Sequence, residues 1–150
     1  MQLSKFTDYA LRVLIYLGSK GESRSTIEEI AESYAISKEH LRKVVHHLAL
    51  SGVIESKRGR GGGLRLARPA SEISIGEVVR QSEENFALVE CFAPDEAQPC
   101  KISGACRFAW MLHEALTAFL EVLDRYTLAD ILSVGPALLE RLGLEARPAG

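Results

Sequence analysis

The sequence predicts a mostly α-helical protein with one small β-hairpin, and two observations support this fold class. Apolar residues recur at intervals of three and four along several segments, which is typical of helices with one buried face. A single pair of short strand-like runs flanks a glycine-rich stretch over residues 58–63, which is typical of a hairpin. With 47% hydrophobic and 25% charged residues, a chain of 150 residues is able to bury a core.

Three helices open the predicted fold. Residues 3–19 repeat apolar side chains at helical spacing and end at a turn over residues 20–22. Thr26 begins the second helix, and Glu29, three positions later, completes a capping box. Ser37 is a favourable N-cap for the third helix. The third helix has apolar residues at positions i, i+3, i+4 and i+7, which form its buried face: Leu41, Val44, Val45 and Leu48.

The third helix and the hairpin together predict a winged helix-turn-helix. Only a very short turn separates the second and third helices, as in helix-turn-helix motifs. The free face of the third helix is polar and basic, with Glu39, His40, Arg42, Lys43, His46 and His47. Taken alone, this face is equally consistent with a merely solvated surface. The hairpin that follows favours DNA binding.

The hairpin carries arginine at its tip, where nothing in the fold requires positive charge. Predicted strands over residues 53–57 and 64–67 flank Arg58-Gly59-Arg60-Gly61-Gly62-Gly63. We expect Arg58 and Arg60 to contact DNA phosphates or to enter a narrow minor groove. A nucleotide-binding phosphate loop is disfavoured, because the Gly-Lys-Ser/Thr ending and a following helix are absent.

The distribution of charge supports the same interpretation. Residues 36–68 contain eight Lys or Arg against two Glu, a net charge of +6, so the remaining residues carry −8 within a total of −2. One basic zone on an acidic body is typical of a nucleic-acid-binding protein. The helix of residues 37–48 is predicted to enter the major groove of double-stranded operator DNA. The predicted DNA contacts are Ser37, Lys38, Arg42, Lys43, Arg58 and Arg60.

The second half of the chain is predicted to be helical apart from one loop. Ser74 and Glu77 form a capping box that opens a short helix, and residues 91–104 are predicted to be an irregular loop. A long helix over residues 105–126 then carries an apolar stripe: Phe108, Leu112, Ala115, Leu116, Phe119, Leu120 and Leu123. This stripe either packs across its own domain or, as we prefer, forms a dimer interface. A short helix over residues 127–132 and a partly helical tail complete the chain.

These predictions divide the chain into four parts. Residues 1–80 form the winged helix-turn-helix, residues 81–104 the loop region, residues 105–132 the dimerisation helix with the short helix after it, and residues 133–150 the tail. No apolar run is long enough to span a bilayer, and no signal peptide is recognisable at the N-terminus. We therefore expect a cytoplasmic protein without membrane contact. A nucleophile motif and a nucleotide loop are both missing, which argues against an enzyme.

All three cysteines, Cys91, Cys100 and Cys106, fall in or next to the predicted loop. An odd number of cysteines in a reducing compartment argues against a disulfide framework. Structural zinc favours closely spaced cysteine pairs, which are absent here, and three grouped free thiols without a role are unusual. An iron–sulfur cluster tolerates the wide spacing and is the preferred interpretation. Three thiolates leave a fourth ligand to be supplied by another residue.

Several motifs give the chain a family resemblance. They are residues 3–12 (Leu-Ser-Lys-Phe-Thr-Asp-Tyr-Ala-Leu-Arg), the wing sequence from Arg58, residues 74–79 (Ser-Ile-Gly-Glu-Val-Val) and residues 126–130 (Tyr-Thr-Leu-Ala-Asp). With the three cysteines, they resemble the iron–sulfur winged-helix transcription regulators of bacteria, the group that contains IscR and NsrR. The resemblance extends from residue 1 to about residue 132, and the NsrR branch fits best.

The resemblance implies a homodimer in which each cluster is held by the three loop cysteines of one subunit. An aspartate near the N-terminus of the other subunit, here Asp8, is the implied fourth ligand. The IscR branch uses a histidine three residues after the last cysteine, and this chain has Ala109 there. The residues alone give Asp8 a plainer role, an i,i+4 ion pair with Arg12. Eight residues between the first two cysteines exceed the usual family spacing, which leaves Asp95 or Glu96 as alternative ligands.

Together these predictions describe an iron–sulfur-cluster-dependent transcriptional repressor. It is expected to bind operator DNA as a homodimer and to be released when nitric oxide attacks its cluster, a 4Fe–4S cluster in preference to 2Fe–2S. One alternative is a related regulator that senses oxygen, iron supply or redox state. A zinc-stabilised DNA-binding regulator is another, and an enzyme or electron carrier is the rival from a different class.

Overall fold

The computed structural model describes residues 2–92 and 100–144. Seven α-helices and two strands occur in this part of the chain. The helices are α1 (Lys5–Lys20), α2 (Ile27–Tyr34), α3 (Lys38–Leu50), α4 (Ile75–Ser82), α5 (Arg107–Asp124), α6 (Leu128–Leu132) and α7 (Pro136–Arg141). The strands β1 (Ile54–Lys57) and β2 (Gly63–Leu66) lie between α3 and α4. The predicted mostly helical fold with a single hairpin is confirmed.

Side-chain caps set the first residues of the N-terminal helices. The Ser4 hydroxyl accepts a hydrogen bond from the Thr7 N–H at 3.2 Å at the start of α1. Thr26 and Glu29 form the predicted capping box of α2. Ser37 caps α3, as predicted. Such caps each contribute about 1 kcal/mol, because they satisfy amides that have no partner within the helix.

Helix α1 lies at the centre of the core and packs against α3, α4, α6 and β2. Val13, Leu14 and Leu17 of α1 are completely buried. The predicted apolar face of α3 is buried as well, from Leu41 to Leu48. Because α1 and α3 share one core, the orientation of α3 is fixed by the body of the protein and not only by its own turn.

The hairpin is antiparallel and is tied back to the helical body. Its register pairs Ile54 with Leu66 and Lys57 with Gly63. Ser25, in the α1–α2 connection, pairs with Leu64 through two backbone hydrogen bonds of 2.9 and 2.8 Å. Through this bridge the second strand of the hairpin is also paired with the helical body. The hairpin is therefore held at a fixed position on the body.

Two details of the sequence-based description are wrong. Ser74 accepts from the Glu77 N–H at 3.4 Å, but the Glu77 carboxylate turns to Arg68 at 3.0 Å instead of returning to the cap, so the α4 box is only half formed. His47 was predicted on the free face of α3, yet it is half-buried with its ring 5.3 Å from that of Phe6 in a T-shaped contact. Helix α1 covers this end of α3, which sequence periodicity does not show.

Helix α5 crosses the body at Gly76 of α4. Asp124 lies directly over Gly76 and accepts two hydrogen bonds from Arg80, at 2.6 and 2.5 Å. A side chain at Gly76 would collide with the Asp124 carboxylate. The C-terminal segment also docks on the body: Leu142, just after α7, is buried, and its carbonyl accepts a hydrogen bond from the Ser33 hydroxyl at 3.0 Å. Within the described residues, no helix is long and apolar enough to cross a membrane.

Candidate DNA interface and cysteine site

The free face of α3 presents two cations without an acidic partner among the described residues. Arg42 and Lys43 are exposed and take part in none of the ion pairs found there. Lys38 is already paired with Glu28, at 3.4 Å. The Ser37 hydroxyl caps α3 and lies 2.9 Å from Nδ1 of His40. Arg42 and Lys43 are therefore the groups on this helix that are best able to meet an anion.

The wing tip presents a second group of exposed cations. Lys57, Arg58 and Arg60 are exposed and have no acidic partner in the described part of the chain. Gly59 and Gly61 adopt positive φ values of 88° and 73°, which glycine tolerates without strain. The tip therefore combines unpaired positive charge with a backbone able to approach a phosphate or a groove closely.

The two arginines beyond the wing tip behave differently. Arg65 pairs with Glu55 at 2.5 Å and lies 3.6 Å from Glu22, while Arg68 pairs with Glu77 at 3.0 Å. The hydrogen bond from Arg65 is the main reason that the pKa of Glu55 is lowered. The predicted basic zone of residues 36–68 thus separates into unpaired cations at α3 and the tip, and paired cations at the base of the hairpin.

Sequence reasoning missed Arg24, which fixes the wing to the body. Its guanidinium donates to the Gly63 carbonyl at 3.0 Å and to the Glu55 carboxylate. Arg24 lies outside the basic zone, and its only signal in the sequence is a charged residue in a short interhelical turn. Its partners are about thirty or more residues away in the chain, so only the folded structure reveals them.

The cysteines lie on either side of residues 93–99, which are outside the described residues. Cys91 is exposed on a short 3₁₀ turn, Glu90–Phe92, and Cys100 is exposed at the other end of the gap. Both line one open surface pocket, together with Val89 and Glu90. Asp95 and Glu96, the alternative ligands, belong to the segment that is not described.

Cys106 has a different position from the other two cysteines. It is partly exposed and forms the N-cap of α5, where its sulfur accepts a hydrogen bond from the Ala109 N–H at 3.4 Å. The positive end of the helix dipole favours negative charge at such a position. A thiolate at Cys106 would be stabilised by the hydrogen bond from the Ala109 amide, which would otherwise have no partner within the helix.

The donor set suits a sulfur-ligated group, but within the described residues the donors are not grouped for metal binding. All three cysteines are free thiols, and Cys106 caps α5. Across residues 2–92 and 100–144, no three His, Cys, Asp or Glu side chains are grouped so that they could hold a metal ion. The chemistry of the donors therefore fits an iron–sulfur cluster, while the arrangement leaves ligation incomplete.

Asp8 is engaged by Arg12 of its own chain. The two side chains form a two-point pair, with distances of 3.1 Å from Nε to Oδ1 and 2.9 Å from Nη2 to Oδ2. Arg12 also lies over the ring of Tyr34, with its Cζ 5.7 Å from the centroid. The i,i+4 pair expected from the residues alone is thus present, and Asp8 remains about half exposed.

Comparisons with known proteins identify the family of the chain. The family model described as Rrf2, an iron-dependent transcriptional regulator, matches residues 3–133. The HTH-type transcriptional regulator NsrR of Geobacillus kaustophilus is 51% identical over 148 residues, which cover 95% of this chain and 100% of the relative. The regulator of the same name from Bacillus subtilis is 49% identical over 133 residues, which cover 88% and 90%.

Solved structures share the fold. T. potens IscR superimposes with a TM-score of 0.70 at 25% identity, covering 91% of this chain and 90% of the other. CymR, described as the global cysteine regulator of B. subtilis, has a TM-score of 0.67 at 30% identity, covering 89% and 98%. These relatives are transcriptional regulators, so the expectation that the chain is not an enzyme is confirmed. The chain belongs to the Rrf2 family of winged helix-turn-helix transcriptional regulators.

Proposed function

We propose that this protein is a cytoplasmic transcriptional repressor that binds operator DNA as a homodimer, depends on an iron–sulfur cluster and releases DNA in response to nitric oxide. The observation that carries the proposal is two groups of cations that have no acidic partner among the described residues, Arg42 with Lys43 on α3 and Arg58 with Arg60 on the wing. The 51% identical relative is named NsrR, which supports this branch of the family.

In the proposed complex, α3 lies in the major groove and the wing lies over the adjacent backbone or minor groove. Arg42 and Lys43 read base edges or hold phosphates at the groove wall. Arg58 and Arg60 neutralise phosphates beyond it. Ser37 and Lys38 contribute at the N-terminal end of α3, and Lys38 must exchange its contact with Glu28 for one with DNA. Residues 1–80 form the DNA-binding unit in this proposal.

The homodimer is proposed to form along α5. None of its residues is fully buried. Leu120 and Leu123 pack against the core of their own chain, whereas a second apolar row faces outward with Phe108 60%, Met111 55% and Val122 43% exposed. Ala115 and Ala118, also exposed, complete this row at alternating intervals of three and four. The small alanines would let two copies of α5 approach closely, as in a helix pair.

The predicted stripe of α5 therefore separates into two rows. Phe108 and Ala115, which the sequence placed with the leucines, belong to the exposed row, while Leu112 and Leu116 are partly covered by their own chain. Residues 105–132 thus join the two subunits in the proposed dimer, and residues 81–104, which carry Cys91 and Cys100, precede that helix in the sequence.

Cys91, Cys100 and Cys106 are the residues proposed to hold the cluster, a 4Fe–4S cluster in preference to 2Fe–2S. When bound, the group would supply sulfur-ligated iron that reacts with nitric oxide. Asp8 of the other subunit is proposed to complete the set, and its carboxylate, a harder donor than thiolate, would be the most easily displaced ligand. Ligation by Asp8 requires that its pair with Arg12 opens or is shared. The spacing of the two α3 helices then depends on an intact site.

The test is a comparison of Cys100→Ala with Ser103→Ala, an exposed neighbour in the same segment. Both variants are purified without oxygen, their absorbance is recorded before and after one addition of nitric oxide, and operator retardation is measured. Cys100→Ala is expected to be colourless and not to retard operator DNA, while Ser103→Ala retains both properties. Tight, salt-resistant operator binding by colourless Cys100→Ala would refute cluster dependence.

The same preparation distinguishes the alternatives. Iron and acid-labile sulfide with a spectrum that responds to oxygen but not to nitric oxide would indicate the oxygen- or redox-sensing regulator. Zinc without sulfide would indicate the zinc-stabilised regulator.

A further inference from the structure

The free face of α3 carries one carboxylate, Glu39, among its cations. Glu39 is the only acidic residue of α3, and Arg42 and Lys43 follow it at i+3 and i+4, so the three side chains share one face of the helix. All three are exposed. Glu39 nevertheless takes part in none of the ion pairs or side-chain hydrogen bonds found within residues 2–92 and 100–144. No contact there holds its carboxylate against the neighbouring cations.

The other side chains in the first turn of α3 are already engaged by the protein itself. Lys38 is paired with Glu28 at 3.4 Å. Nδ1 of His40 lies 2.9 Å from the Ser37 hydroxyl. The residue that follows His40 is completely buried in the core. Among the residues that the structure describes, Glu39 is therefore the side chain of this turn that is available to a group outside the chain.

The first turn of a recognition helix is the part that meets base edges in helix-turn-helix complexes. A carboxylate in this turn is repelled by phosphates, and it only accepts hydrogen bonds, so a favourable contact requires a donor on a base edge. Entry into the groove also removes water from the carboxylate. A base without a donor would leave the charge unpaired, and such a penalty against the wrong base is a source of specificity.

The four bases differ in what they offer to a carboxylate in the major groove. Guanine presents two acceptors, and thymine presents an acceptor and a methyl group, so neither base donates a hydrogen bond there. Adenine presents the N6 donor next to the N7 acceptor, which repels the second carboxylate oxygen. Cytosine presents only a donor, its N4 amino group. Cytosine is therefore the base that best matches the side chain of Glu39.

We propose that Glu39 is a specificity-determining residue, whose carboxylate accepts a hydrogen bond from N4 of a cytosine in each half-site of the operator. This inference rests on the proposed function, since it requires α3 to lie in the major groove. Arg42 and Lys43 attract DNA, whereas Glu39 lowers the affinity for every site that lacks this cytosine. The three residues together would separate the operator from other DNA more sharply than cations alone.

The test selects duplexes from a randomised DNA pool with the full-length protein, purified without oxygen, as wild type, Glu39→Ala and Glu72→Ala. Glu72 is the matched control, because it is an exposed carboxylate at the end of the short turn Ala70–Glu72, outside α3. The wild type and Glu72→Ala are expected to enrich the same operator, with cytosine at one fixed position of each half-site. Glu39→Ala is expected to lose the preference at that position alone.

Binding titrations with the selected operator separate base recognition from a merely structural role of Glu39. Replacing the C·G pair by T·A in one half-site is expected to weaken wild-type binding by about tenfold, and Glu39→Ala binding by less than about twofold. Glu39→Gln is expected to enrich adenine at this position, because an amide donates to N7 and accepts from N6. A structural role, as a negative charge near the N-terminus of α3, would change the affinity for all duplexes alike.

Three results would overturn the proposal. Glu39→Ala could enrich the same bases as the wild type at every position, it could relax a position that is not a C·G pair in the wild-type operator, or it could change the affinity for all duplexes alike. Failure of the wild type to enrich any sequence is a distinguishable result, which would refute operator binding itself and this inference with it.

Discussion

Arg58 has no acidic partner within residues 2–92 and 100–144, and this leads to a quantitative prediction about the salt dependence of operator binding. Each phosphate neutralised by a cationic side chain adds about 0.9 to the slope of log K against log salt concentration, because condensed counterions are released. A homodimer presents Arg58 twice, so Arg58→Gln is expected to lower the magnitude of the slope by about 1.8. The measurement is fluorescence anisotropy of an operator duplex selected with the wild-type protein, at salt concentrations of roughly 50 to 200 mM.

Arg65→Gln is the matched control, since it removes the same charge from the same hairpin. Arg65 is already neutralised by Glu55 at 2.5 Å and approached by Glu22 at 3.6 Å. Because the charge of Arg65 is already balanced by carboxylates, it neutralises no phosphate, and Arg65→Gln is expected to leave the slope unchanged. The two variants have equal net charge, and any difference between them reports local contact at the wing tip.

Two outcomes would refute this reasoning. Equal reductions of the slope by Arg58→Gln and Arg65→Gln would mean that the overall charge of the wing matters and that the ion pairs at its base do not. An unchanged slope for Arg58→Gln would mean that the wing tip does not reach the phosphate backbone at all.

Three further predictions concern the body of the protein. Ala115→Glu on the exposed row of α5 is expected to give monomers in analytical ultracentrifugation. Thr117→Glu, which is exposed elsewhere on the same helix, is expected to leave the dimer intact. Dimers in both variants would contradict the proposed interface. Gly76→Ala is expected to lower the free energy of unfolding by about 1–3 kcal/mol, because its methyl group meets the Asp124 carboxylate, and the loss in thermal melts should shrink when Asp124→Ala makes room. Burial raises the pKa of Tyr34 to about 12, whereas the phenol of the unfolded chain ionises near pH 10. The contribution of the neutral phenol to folding stability is therefore complete below pH 10 and is lost as the pH rises toward 12. Tyr34→Phe should reduce this alkaline loss of stability in denaturant titrations.

Local sequence signals were sufficient for most of the fold. Thr26 and Ser37 cap their helices because a side-chain oxygen reaches an amide only three residues away, which spacing alone reveals. The buried face of α3 follows from the same short-range periodicity. The hairpin was equally predictable, since a run of glycines between two strand-like segments leaves few alternatives.

Long-range contacts decided what the sequence could not. Periodicity marked α5 as apolar over a wide arc but did not show which row its own chain covers, because that depends on where α4 and the core meet it. Likewise, His47 has helical spacing suited to a free face, yet Phe6 of α1 packs on it. In both cases a partner distant in sequence determines exposure.

The sequence by itself determined the winged helix-turn-helix, its basic zone and the grouping of the three cysteines, because each of these depends on residue types within a few positions of one another. Only the tertiary structure decided which cations are available to DNA: carboxylates from Glu22, Glu55 and Glu77 neutralise Arg65 and Arg68, whereas Arg58 has no acidic partner in the part of the chain that the structure describes. Each residue type fixes its own charge, whereas the ion pairs formed on folding decide which charged side chains can still bind a phosphate.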